Sequence, residues 1–146
     1  MSLSRRRFGA AITAALATTA ARAQFRVEIS GIGATQLPVA VVKFRDEDRG
    51  DAAFSAIVRA DLERSGVFRI VDSNGTLDER SLPQYTDWRA RGADALVTGS
   101  VGRLADGRLD IRFKLWDVVK GEEAAGQALA VPAVDSRLAA HRIADV

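Results

Sequence analysis

Ser100 and His141 are the one serine–histidine pairing in this sequence worth testing for acyl transfer, because that chemistry needs a nucleophilic hydroxyl and an imidazole base and the chain holds a single histidine. The nucleophile elbow fails at its first position: Thr98 stands where Gly-x-Ser-x-Gly demands glycine. Asp46, Glu47, Asp48 and Asp51 form an acidic cluster that could attract a cation. Gly50 comes one position early for a calcium loop counted from Asp46, and no glutamate closes it. The cluster reads instead as a solvated helix start, where carboxylates meet the positive end of the dipole. Gly31-Ile32-Gly33 opens like a dinucleotide loop, but Gln36 occupies the third glycine position and no helix pattern follows. The Gly-Lys-Ser/Thr triplet of a phosphate loop is absent. Asp61 and Glu63 diverge on a helical pattern, and Asp106 and Asp110 belong to a turn and a wet strand face, so neither pair is arranged for acid–base work. Trp88 and Trp116 read as core or rim residues. Arg108, Arg112 and Lys114 could touch nucleic-acid phosphates, but Asp110 interrupts their stripe. Without cysteine there is no disulfide or thiolate chemistry, and one histidine excludes a histidine-clustered metal site. These residues predict no enzyme, no metal and no cofactor.

The 146 residues are 27% charged and 47% hydrophobic, the composition of an ordinary globular domain. The formal charge of +2 conceals an asymmetry, since all 19 acidic residues lie after residue 23 and four of the 21 basic ones (Arg5, Arg6, Arg7, Arg22) lie before it. Without residues 1–23 the chain carries 17 basic and 19 acidic groups, a net charge of −2, and the electrostatic case for a nucleic-acid partner disappears. Residues 1–23 have the layout of a signal peptide. Arg5-Arg6-Arg7 precede a mild apolar run rich in alanine and threonine, and Ala21-Arg22-Ala23 fits the small-x-small site, placing cleavage between Ala23 and Gln24. Ser4-Arg5-Arg6-Arg7-Phe8 resembles a twin-arginine export signal, a general secretory signal being the other reading. The run is too short and too weakly apolar for a spanning helix, which needs about 20 residues. The mature chain is expected in the periplasm, without a transmembrane segment.

Phe25-Arg26-Val27-Glu28-Ile29 alternates apolar and charged residues, a short strand with one wet face. Pro38-Val39-Ala40-Val41-Val42-Lys43-Phe44 reads as an interior strand with proline at its first position. A helix is predicted from an Asp48 N-cap to about Ser65, with Phe54, Ile57, Val58 and Leu62 in one stripe, Arg59, Glu63 and Arg64 outward, and Gly66 as its C′ residue. Val67-Phe68-Arg69-Ile70-Val71 is the next strand, giving a parallel strand–helix–strand unit. After a polar, turn-rich stretch, Thr86 or Asp87 is expected to cap a short helix through Trp88 to Arg91, ended by Gly92. Residues 95–101 form a second interior strand, whose Gly99 and Ser100 indicate close approach by a neighbour. Asp106-Gly107 signals a hairpin into an alternating strand in which Leu109, Ile111, Phe113 and Leu115 face helices. Residues 125–131 return as an edge strand. Residues 135–146 start a helix with Leu138, Ile143 and alanines on its apolar face, and the pattern carries no stop signal. The fold class is α/β in an α+β layered form: a small mixed sheet covered by helices.

Several stretches, in order, carry a family resemblance: Phe25-Arg26-Val27-Glu28-Ile29, the run Pro38 through Phe44, Leu62-Glu63-Arg64-Ser65-Gly66-Val67-Phe68, Gly92-Ala93-Asp94-Ala95-Leu96-Val97-Thr98-Gly99, Arg112-Phe113-Lys114-Leu115-Trp116-Asp117-Val118, and His141-Arg142-Ile143-Ala144-Asp145. The mature sequence resembles the N-terminal domain of TolB, the periplasmic β-propeller protein of the Tol–Pal system. The resemblance implies an anticodon-binding-domain-like fold over residues 24–134, with residues 135–146 beginning the helix that leads to a propeller. It implies a non-enzymatic protein-interaction module that supports outer-membrane integrity and cell division. The segment after the signal peptide is implied to contact TolA, an inner-membrane-anchored protein. On this chain that segment is Gln24, Phe25, Arg26, Val27, Glu28, Ile29 and Ser30, led by the three apolar residues. A short alternating segment can add as a strand to a partner's sheet edge, and it can equally be an edge strand of its own domain. Pal docking belongs to the propeller and is carried onto no residue here. A monomer is expected. The alternatives are an exported α/β domain of another envelope assembly system and a small exported ligand-binding protein or enzyme.

Overall fold

The computed structural model describes residues 36–50 and 52–146; the leader at residues 1–23, the strand-like stretch at 25–29 and the glycines at 31 and 33 lie outside the described residues. A five-stranded mixed sheet has the order β2-β1-β3-β4-β5, from β1 (Leu37–Val41), β2 (Phe68–Val71), β3 (Ala95–Arg103), β4 (Leu109–Asp117) and β5 (Glu122–Val131). β1 runs parallel to both β2 and β3, while β3, β4 and β5 form an antiparallel meander. Helices α1 (Phe54–Arg64), α2 (Tyr85–Ala90) and α3 (Ser136–Ala144) complete an α+β fold.

The β1 run is buried on both faces because successive side chains point opposite ways. Val39 and Val41 enter one core with Phe54, Val58, Val97, Ile111, Phe113 and Ile143, under α1 and α3. Ala40 and Val42 enter a second core with Leu96, Trp88, Trp116 and Val118, under α2. The strand starts one residue before Pro38 and closes at Val41; beyond it Lys43 and Arg45 make isolated bridges to Thr76 and Ser100. Proline is tolerated at the second position because its nitrogen faces the β3 side ahead of Ala95, where Asp94 N–H already donates to Pro38 O at 2.9 Å. Phe44 lies on the α1/α3 side, its ring against Gly99, where a Cβ would come within 2.8 Å of the ring. The close approach expected at Gly99 is therefore real.

The helix start differs from the expectation. Asp48 is not the N-cap. It sits in a 3-10 turn, Glu47–Arg49, and accepts from Lys43 Nζ at 2.6 Å; α1 begins six residues later. The cap comes from Glu47, 5% exposed, whose carboxylate accepts Ser55 N–H at 2.9 Å and Ser55 Oγ at 2.7 Å. That carboxylate satisfies a first-turn N–H that has no partner within the helix. Arg59 does not face outward: it reaches in to donate from Nη2 to Val41 O at 2.6 Å. Gly66 follows α1 at φ +73°, the left-handed geometry that favours glycine. α2 starts at Tyr85, so Thr86 and Asp87 lie inside it rather than capping it. β5 starts at Glu122, three residues before the expected edge strand. α3 ends at Ala144 and buries Ser136, Ala139, Ala140 and Ile143, an i, i+3, i+4, i+7 set that leaves Leu138 outside the stripe and 54% exposed.

Candidate interaction surface

The segment singled out for partner contact, Gln24 to Ser30, lies outside the described residues; the chain enters the described fold at Gln36. Gln36 Nε2 donates to Gly66 O at 3.0 Å, and Leu37 N donates to Val67 O at 3.0 Å, so the approach to β1 is tied to the turn that ends α1. Leu37 remains 42% exposed at this end of the sheet. Beside it an apolar cavity of about 90 Å³ opens between α1, α3 and the sheet, lined by Leu37, Leu62, Phe68, Leu115, Ile143 and Val146 among others. A second depression across Leu37 is lined by Ala95, Leu115, Trp116, Val119 and Ala124, with Asp94, Asp117 and Lys120 as its polar members. The surface at the foot of β1 is thus chiefly apolar, a place for side chains rather than for bond making.

The candidate chemical groups are dispersed. Ser100 Oγ donates to Glu79 Oε2 at 2.6 Å on the α2 side of the sheet, whereas His141 on α3 pairs through Nδ1 with Asp61 of α1 on the other side. They share no site. The acidic cluster is divided between the cap at Glu47, the Lys43 pair at Asp48, and Asp46, which takes φ +61° and lies 3.6 Å from Arg49. Among the described residues no three histidine, aspartate or glutamate side chains gather as a metal site. Arg108, Arg112 and Lys114 are paired with Asp106, Asp110 and Glu123 at 2.8, 3.0 and 2.6 Å. Trp88 and Trp116 are both buried, and Trp116 Nε1 donates to Thr98 Oγ1 at 2.9 Å. Among the described residues no helix is long and apolar enough to cross a membrane.

Local hydrogen bonding also sets the charges. The Ser81 hydroxyl donating at 2.8 Å, assisted by the N–H groups of Ser81 and Arg80 and by Arg45, holds the Asp78 carboxyl below the usual aspartate range despite partial burial. Asp106 is lowered by the N–H of Arg108 and then by its guanidinium. Lys43 is raised by its bond to Asp48. Sequence reasoning missed Glu47 and Glu79 as buried groups. Ser55, eight residues from Glu47, left a weak helix-start signal; Ser100, 21 residues from Glu79, left none.

Residues 25–124 match the TolB amino-terminal domain. The chain belongs to the TolB amino-terminal domain family. A Tol-Pal system protein TolB from Albidiferax ferrireducens is 61% identical over 124 residues, which is 84% of this chain and 29% of the relative. One from a Polaromonas species is 53% identical over 145 residues, 99% of this chain and 34% of the relative. The crystal structure of TolB from Acinetobacter baumannii superposes with a TM-score of 0.64 at 32% identity, covering 75% of this chain and 27% of that one. The chain therefore spans about a third of the length of these TolB relatives.

Proposed function

We propose that this TolB-type domain is a non-enzymatic interaction module of the Tol–Pal system, exported to the periplasm after cleavage between Ala23 and Gln24. In this reading residues 1–23 are the leader, twin-arginine in type, residues 24–134 the interaction domain, and residues 135–146 the start of its C-terminal helix, which leads toward a propeller. The mature N-terminal segment, Gln24 to Ser30, contacts a TolA-like inner-membrane-anchored protein by lending it a strand, with Phe25, Val27 and Ile29 as the apolar anchors. The module acts as a monomer in maintaining the outer membrane and in cell division, and Pal contact requires a propeller.

The observation that carries this reading is the family match that begins at residue 25, within the proposed contact segment, and runs on through β4. The apolar surface around Leu37 supports it, because a segment joined to β1 has an apolar shelf beside its attachment. Capture of the full-length protein by the immobilised C-terminal domain of TolA tests the reading. Deleting residues 24–30 should abolish capture while leaving the melting temperature unchanged. Undiminished capture by the deletion variant would remove the segment from the contact.

A further inference from the structure

On the α2 side of the sheet, beyond the core of Leu96, Trp88 and Trp116, a polar cavity of about 130 Å³ opens around the Ser100–Glu79 bond. β3 and β4 form its base. Ser100 stands opposite Arg112 and Gly102 opposite Asp110, and alternate residues of a strand share a face. Arg45, bridged to β3 at Ser100, and Arg80, the neighbour of Glu79, complete the wall. Glu79 is 6% exposed. Its Oε2 accepts from Ser100 Oγ at 2.6 Å, but its Oε1 is buried and accepts no hydrogen bond among the described residues. A buried carboxylate oxygen costs free energy for as long as it lacks a donor. The group standing over it is Arg80, whose Nε is 3.6 Å away, beyond hydrogen-bond range.

Three guanidiniums meet at this cavity in the same way. Arg45 turns Nε toward Asp78 at 3.3 Å, Arg80 toward Glu79 at 3.6 Å, and Arg112 toward Asp110 at 3.0 Å. Each carboxylate steadies one Nε. Among the described residues no hydrogen bond engages the Nη nitrogens of the three, so the outer fork of each is left for an oxyanion. Asp46 also lines the cavity and lies 3.6 Å from Arg49. Arg45, Arg80 and Arg112 are thus balanced by Asp46, Glu79 and Asp110, and a ligand must be recognised by the pattern of donors and acceptors rather than by net charge.

We infer that this cavity is a binding site for hydrogen phosphate. The Nη groups of Arg45, Arg80 and Arg112 donate to its unprotonated oxygens in charge-assisted bonds, and its P–OH donates to Glu79 Oε1. The Arg80 side chain, 71% exposed and without a hydrogen bond among the described residues, swings off Glu79 to admit the ligand. Hydrogen phosphate carries a proton at neutral pH and sulfate does not, so sulfate would set an oxygen lone pair against the open oxygen of Glu79. That oxygen is the selectivity element, a carboxylate that rejects the wrong anion by repulsion. The site is separate from residues 24–30 and does not depend on what they bind.

Calorimetric titration of the full-length protein with sodium phosphate at neutral pH in chloride buffer tests the inference. One saturable site is expected, with sulfate at least about tenfold weaker. Glu79→Gln keeps an acceptor for Ser100 and presents an amide N–H in place of the open oxygen. It should reverse the preference toward sulfate, whereas a glutamate of merely structural role would leave the ratio alone. Arg112→Gln should weaken phosphate binding about tenfold. A Cβ at Gly102 would meet nothing nearer than Asp110 O at 3.7 Å, so Gly102→Val should block the cavity and abolish binding with little change in melting temperature. No saturation by about 10 mM phosphate would overturn the inference, as would equal affinity for sulfate, or binding undiminished in both Arg112→Gln and Gly102→Val. Should Glu79→Gln fail to fold, the phosphate-to-sulfate ratio of the unaltered protein and the effect of Gly102→Val still decide it.

Discussion

The two faces of the sheet are built on different principles. Under α1 and α3 the interior is apolar, with Val39, Val41, Phe44, Phe54, Val97, Ile111 and Phe113 interlocked, and the buried polar side chains Glu47, Ser55 and Ser136 sit at the starts of α1 and α3. Under α2 the interior is smaller and mixed: Leu96, Trp88 and Trp116 share it with Thr98, while Ser100 and Glu79 bond each other on the same side. One face holds by volume and close fit, the other also by satisfied polar pairs. A strand interior to both, such as β3, must obey both rules at alternate residues.

That contrast can be broken by substitution. The largest effect is expected on the apolar face. Phe44→Ala empties the space against Gly99 and should cost about 3–5 kcal/mol, the sum of lost transfer energy and a residual cavity, read from urea unfolding. A cost under 1 kcal/mol would mean that the face is not packed by fit. On the mixed face Thr98→Val keeps the shape and leaves Trp116 Nε1 buried without an acceptor, which should cost about 1–3 kcal/mol, while Thr98→Ser retains the bond and loses only the methyl contact. Equal losses for valine and serine would show that volume rules there as well. The smallest effect concerns Asp78, which lies in the loop on the mixed side. Its carboxyl is held below the usual range, so its contribution to stability is present above the ordinary aspartate value of about 3.9 and is lost as pH falls through the lowered value. Asp78→Asn should lower the melting temperature by no more than about 4 °C at pH 7, and the difference should shrink as pH falls below about 3.9.

Much of the framework was legible locally. The β-branched run before Phe44, the Asp106-Gly107 hairpin and the alternation of β4 each reflect a period or turn preference written within a few residues. The start of α1 was not legible, because the acid that caps it lies in a separate 3-10 turn ahead of the helix, and the nearer Asp48 is taken by Lys43. Arg59 read as an outward charge for the same reason: its acceptor is Val41 O, on a different element. Leu138 read as core because helical periodicity fixes the spacing of a buried stripe but not its rotation; α3 turned to bury Ala139 and Ala140 instead.

The sequence by itself determined the alternation of strands and helices, the positions of the sharp turns, and the family. Each of these rests on contacts among near neighbours or on a string of residues compared as a string. Tertiary structure alone decided that Glu47 and Glu79 are buried, that Ser100 and His141 lie on opposite sides of a sheet, and that β5 takes the end of the strand order. Those are relations between distant residues. Strand order and helix rotation set them, and both are selected by the packing of the whole core rather than by any local stretch of chain.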